Sequence, residues 1–175
     1  MLSHRHLACA IASILLLLFA GCYETTLSLG TEDTAKVNPA FCGNWEIPKE
    51  NPTEQPVKLI IRNVDGKHYF VEWIDTAAPD EKDRVQRFVG WTVGVKDATF
   101  AQVRELPEDG TVPQKHVILR VELNKDGALV MHQLHKEFFE SQTLQTEADL
   151  KRVIEQNLDN ADMYDESPTV ANKGK

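Results

Sequence analysis

Between Val85 and Val95 apolar side chains recur at every second position (Val85, Val89, Trp91, Val93, Val95), interrupted only by Arg87. Successive side chains of a strand point to opposite faces, so this spacing fits a half-buried strand and not an amphipathic helix. The opposite face carries Phe88, Gly90, Thr92 and Gly94. Glycines inside a strand mark a bulge, a bend, or a close approach by another backbone or a ligand. Those four residues are therefore candidates for a ligand-facing surface.

The same alternation returns along the chain, punctuated by turn residues. Residues 57–63 and 67–75 flank Val64-Asp65-Gly66, and Asp-Gly supplies the positive φ of a tight hairpin. With Asp65 and Gly66 as the loop pair, Ile61 faces Phe70, Ile60 faces Val71 and Val57 faces Ile74. Glu72 alternates with Phe70 and Ile74 and so shares their expected inward face; its carboxylate is expected to reach out to the rim, the alternative being an interior position where it could meet a polar ligand. A further strand is expected over 99–106. Residues 117–123 and 128–135 flank Asn124-Lys125-Asp126-Gly127; a four-residue loop there sets Leu123, Val121 and Val117 against Ala128, Val130 and Leu134. Over 147–158, Leu150, Val153, Ile154 and Leu158 share one helical face, with Thr146 and Asp149 spaced as a capping box. The expected fold is mainly β: an antiparallel β-meander of six to eight strands rolled into a barrel or half-barrel, with one C-terminal helix.

The N-terminus constrains location. Arg5 precedes an apolar run from Leu7 to Phe19, broken only by Ser13, and Ala20-Gly21-Cys22 follows. The run is shorter than the roughly 20 residues of a bilayer-spanning helix. This order resembles the type II signal peptide of bacterial lipoproteins. The resemblance implies cleavage before Cys22 and acylation of that cysteine, so that lipid holds the protein to a membrane of the cell envelope. Tyr23, rather than Asp, follows the cysteine and favours the outer membrane over the inner one. The alternative is an ordinary secretory signal cut nearby, with Cys22 left as a free thiol. On this reading residues 1–21 are the signal and 22–40 a lipidated, flexible tether reaching roughly 25 Å. Residues 41–160 form the domain and 161–175 a disordered tail.

Charge and chemistry narrow the function further. The net charge is −8, with no basic run interleaved with aromatics, which argues against a nucleic-acid partner. Cys42 has no intramolecular partner once Cys9 leaves with the signal and Cys22 carries lipid. It reads as a buried inert thiol, with an intermolecular disulfide or a reactive nucleophile as alternatives. His132 and His135 lie in an expected strand, where positions three apart face opposite ways, so no metal site is expected. The chain has no Ser/His/Asp arrangement, phosphate-cradling loop or HExxH pattern; no cofactor and no catalysis are expected. Gly43-Asn44-Trp45 resembles the Gly-x-Trp of the first strand of lipocalins. That resemblance implies a barrel with a cavity for a small apolar ligand, with Trp45 closing its base. The leading expectation is a non-catalytic, membrane-anchored module binding a protein or envelope component. A carrier of a small apolar ligand is the alternative, and an enzyme of unknown class comes last.

Overall fold

The computed structural model describes residues 23–174 apart from Pro52 and Val112. The signal segment and the acylation expected at Cys22 lie outside the described residues. The strands are β1 (Glu24–Thr25), β2 (Gly43–Ile47), β3 (Val57–Asn63), β4 (Tyr69–Ile74), β5 (Val85–Val95), β6 (Ala98–Glu105), β7 (His116–Leu123), β8 (Leu129–Gln133) and β9 (Thr169–Lys173). Helices α1 (Lys136–Glu140) and α2 (Glu147–Gln156) lie between β8 and β9. Strands β2 to β9 pair antiparallel in a closed ring, in which β7 meets β8, β8 meets β9 and β9 returns to β2. The fold is a closed eight-stranded antiparallel meander barrel with short C-terminal helices.

Two hydrophobic cores share one sheet. Inside the barrel, Trp45, Leu59, Ile61, Tyr69, Val121, Leu129 and Ala171 pack together with Phe41. Outside it, α2 lays Leu150, Val153 and Ile154 on the outward side chains Val95, Phe100 and Ile118. The expected capping box is present: the Thr146 hydroxyl accepts from Asp149 N–H, and the Asp149 carboxylate accepts from Thr146 N–H at 3.1 Å. At the other end of α2 the Lys96 ammonium donates to Glu155 O, a cation placed where the helix dipole favours one. Lys96 takes φ +53° in the tight turn joining β5 to β6.

Both hairpin registers differ from expectation by one residue. In the first, Ile61 pairs with Val71 and Arg62 with Phe70. Val64 N–H donates to His68 O, and Asp65 Oδ1 accepts from Lys67 and His68 N–H, which leaves three residues in the loop where two were expected. In the second, Val121 pairs with Met131 and Leu123 with Leu129. Asn124 N–H donates to Ala128 O, and Gly127 at φ +77° ends a three-residue loop where four were expected. Burial could not select this register, because β8 carries apolar side chains on both faces: Leu129 and Met131 line the interior while Val130, between them, is also buried.

Residues 23–40, which belong to the tether expected over 22–40, are a strap bound along the barrel. Tyr23 stacks on Phe139 with ring centroids 4.6 Å apart, and its N–H donates to Leu134 O at 3.3 Å. Glu24 and Thr25 pair with Val117 and His116, so β1 continues the wall where β7 and β8 diverge. Gln102, fully buried, accepts from Leu29 N–H at 2.8 Å, and the Gly30 carbonyl accepts from Trp91 Nε1 at 3.2 Å. A buried amide without such partners would cost roughly 1–3 kcal/mol, which is why the strap and Gln102 hold each other. The segment expected to fray also folds: Thr169–Lys173 fills the gap between β2 and β8 as β9.

The strap is additionally tied by charge. Glu32 lies 3.0 Å from Arg104 and 3.3 Å from His68, whose other ring nitrogen is 2.7 Å from Asp65. The Asp65 carboxylate raises the His68 pKa above its ordinary value, with Glu32 adding to the effect. A raised folded-state pKa stabilises at a pH below the unfolded value of about 6.5 and stops doing so as pH rises through the folded value. His68→Gln is therefore expected to lower the melting temperature at about pH 6 and to leave it nearly unchanged at about pH 9, relative to wild type at the same pH. Equal shifts at both values would show that the ring contributes by packing alone.

Candidate functional site

One end of the barrel is closed from the sequence side by residues 36–41. Thr92 donates to Lys36 O at 3.3 Å, Val37 N–H to Gly66 O at 2.9 Å, and Asn38 N–H to the Tyr69 hydroxyl at 2.6 Å. The Asn38 side chain then caps the short turn Pro39–Phe41, which brings Phe41 under the interior. Trp45 Nε1 donates to Phe41 O at 2.9 Å, while Lys173 Nζ stands 4.3 Å over the Trp45 ring. Trp45 is buried beside this floor and does not line the space above it. Burial also raises the Tyr69 phenol pKa above its usual value.

Above the floor is a cavity of about 480 Å³. Its walls are apolar and come from alternate positions of six strands: Leu59 and Ile61 of β3, Val71 and Trp73 of β4, Phe88 of β5, Ala101 and Val103 of β6, Val117, Leu119 and Val121 of β7, and Leu129 and Met131 of β8. Polar groups gather at the opposite end, where Glu24, Gln86, Glu105, Gln114 and Lys115 form a rim. Glu24 and Lys115 are 3.8 Å apart there. His116 lies beside this rim, its Nε2 3.0 Å from Leu27 O, and burial holds its pKa below the ordinary value. The volume falls within the roughly 300–1,000 Å³ of small-molecule sites, which likewise combine apolar walls with a few polar groups.

The sequence-derived candidates divide. Phe88, Gly90 and Thr92 line the cavity. A Cβ on Gly90 would stand 2.7 Å from Gln102 O, so this glycine permits the close approach of β6. Gly94 shares their face but is exposed near the β5–β6 turn and lies off the cavity. Glu72 points outward instead of inward and pairs with Arg87 at 3.3 Å. The reason is the one-residue register change: in β4 it is Tyr69, Val71 and Trp73 that face the interior. Cys42, expected as buried, is partly buried against the interior core and forms no disulfide among the described residues. His132 lies 3.6 Å from Glu122 and His135 3.0 Å from Glu137. Among the described residues no group of three His, Cys, Asp or Glu side chains is arranged to hold a metal ion.

Sequence reasoning missed Trp73, Val103, Leu119 and Met131 on the wall, Phe41 on the floor, and the whole rim. The period of two was legible for the walls, but a hairpin off by one assigns each residue to the wrong face. The rim carries no periodic signal at all. Fold and site together define a closed antiparallel β-barrel with an apolar internal cavity, floored at one end and polar at the other. No protein-family model, curated protein or solved structure matches this chain.

Proposed function

We propose that the chain is an exported, lipid-anchored, non-catalytic barrel that carries a small, largely apolar ligand in its cavity. The observation that carries this reading is an apolar-walled space of about 480 Å³ with one floored end and one polar rim. A guest placed there gains roughly 25 cal/mol for each Å² of apolar surface removed from water. The rim groups can hydrogen-bond a polar end and so orient it. Gly43-Asn44-Trp45 at the start of the first full barrel strand, with Trp45 beside the floor, supports a lipocalin-like version of the reading. Here β9 follows the helices and closes the barrel. Anchoring rests on the signal-like run ending at Cys22. The cavity makes the carrier better supported than a module that binds only another protein.

Native mass spectrometry of the full chain purified from its membrane is expected to show a small noncovalent adduct that denaturation releases. Ala101→Trp directs an indole into the cavity and is expected to abolish the adduct while preserving the circular dichroism spectrum. Absence of an adduct on the wild type, or equal adduct on a folded Ala101→Trp variant, counts against the carrier. In the same preparations metabolic fatty-acid labelling is expected on the wild type and lost in Cys22→Ala; an unlabelled, freely soluble wild type removes the anchor.

A further inference from the structure

We infer that the cavity opens onto the bilayer that anchors the chain, and that its guest is a single-chain amphiphile drawn from that bilayer. This rests on reading the barrel as a carrier and Cys22 as acylated. What carries it further is a body held from Tyr23 onward, the residue after the expected anchor.

A flexible tether over 22–40 would let the barrel stand off by roughly 25 Å and turn freely. The chain is instead fixed from Tyr23 onward, by the bond to Leu134 O, the stack on Phe139 and the pairing of Glu24 and Thr25 with β7. Glu24 is itself a rim residue of the cavity. It follows Cys22 by two positions, a backbone reach of at most about 7 Å. Acyl chains on Cys22 enter the leaflet from that point, so the rim lies at the level of the lipid headgroups. The floored end, with the turns after β3, β5 and β7, points away.

The geometry also defines what fits. Residues 36–41 cross the far end, where a smaller hollow of about 220 Å³ borders Phe41 and Val121, and the main cavity meets its polar groups at the rim. The volume suits one hydrocarbon chain or one compact apolar body, not a two-chain lipid, and Glu24, Gln86, Glu105, Gln114 and Lys115 surround the place of its polar end. Leu106, 41% exposed, directly follows rim residue Glu105 and gives the rim an apolar edge toward lipid. Passage directly from leaflet to cavity avoids hydrating the chain, which water disfavours for every CH₂ exposed.

The test uses the full acylated chain in phosphatidylcholine vesicles containing a lipid spin-labelled at its headgroup. A fluorophore is attached through Gln114→Cys at the rim or Lys125→Cys at the far end, each in a Cys42→Ser background. Quenching is expected to be several-fold stronger at 114 than at 125. Inserting a fifteen-residue Gly-Ser stretch between Cys22 and Tyr23 adds roughly 20 Å of reach and is expected to remove that difference. Uptake of a pyrene-labelled fatty alcohol from the vesicles, followed by loss of excimer emission, is expected to slow several-fold in the inserted variant. Equal quenching at the two positions of the uninserted chain, or uptake unchanged by the insertion, overturns the inference. If the native adduct is present when that happens, the carrier reading stands without its membrane orientation. If no adduct is found, the carrier reading itself has failed.

Discussion

Ending the chain after Glu166 is expected to abolish cooperative folding. The lost segment includes β9, which is hydrogen-bonded on both sides. It pairs Trp45 with Lys173 and Glu46 with Asn172 on β2, and Leu129, Val130 and Met131 with Ala171, Val170 and Thr169 on β8. Its removal converts a ring into an open sheet with two bare edges. Ala171, fully buried, no longer closes the interior core, and the Lys173 ammonium leaves both the Trp45 face and the Cys42 carbonyl. Backbone hydrogen bonds contribute about 0.5–1.5 kcal/mol each, and solvating part of the interior adds to their loss. The total approaches the roughly 5–15 kcal/mol that holds a small domain folded. Thermal melting by circular dichroism checks this: a broad or absent transition is the expected result. A tail that merely frays would leave the melting temperature where it was. Ala171→Asp tests the same seam at full chain length by placing a carboxylate in the apolar interior, and a large fall in melting temperature is expected there too.

The contrast between β9 and β5 shows what a sequence of this kind reveals. β5 spans Val85–Val95, the bounds its alternation implied, and β3 likewise spans Val57–Asn63. Their side chains carry the period of the structure they enter. β9 reads Thr-Val-Ala-Asn-Lys, with one branched aliphatic residue and a methyl side chain between polar ones. Nothing local distinguishes it from a solvated end; it is a strand because a gap one strand wide remains between β2 and β8. The strap is hidden for a related reason. Its anchors are single side chains meeting distant partners, Leu29 with Gln102 and Tyr23 with Phe139, and separations of that kind leave no periodic trace. The site was half legible. Phe88, Gly90 and Thr92 stand out because two glycines in a strand require a reason, and at Gly90 the reason is the nearby carbonyl of Gln102. Glu72 was misplaced because β4 has apolar residues on both faces, so hydrophobicity gave no vote between Phe70 and Ile74 on one side and Val71 and Trp73 on the other. Turn geometry had to break that tie, and an Asp-Gly pair admits more than one loop length.

Two neighbours on β7 test whether the cavity is real space in solution. Ile118→Ala is expected to destabilise by about 2–5 kcal/mol, the usual cost of truncating a large aliphatic side chain in a packed core. Ile118 has no exposed surface and lies in the cluster formed with Phe100, Leu150 and Ile154. Leu119 follows it in the chain but points the other way, onto the cavity. One side of Leu119 already borders open space, so fewer contacts are lost on truncation, and the expected cost falls below about 2 kcal/mol. Urea denaturation of the two variants measures the difference, with similar dependence on denaturant confirming that both unfold from the same barrel. Comparable losses would mean that the interior collapses into a second solid core, and the carrier reading would go with it. If the expected inequality is found, Leu119→Ala also becomes a tool: it enlarges the cavity without breaching its floor. The purified variant should then carry a bulkier adduct than the wild type, so that the mass of the guest reports the width of the barrel.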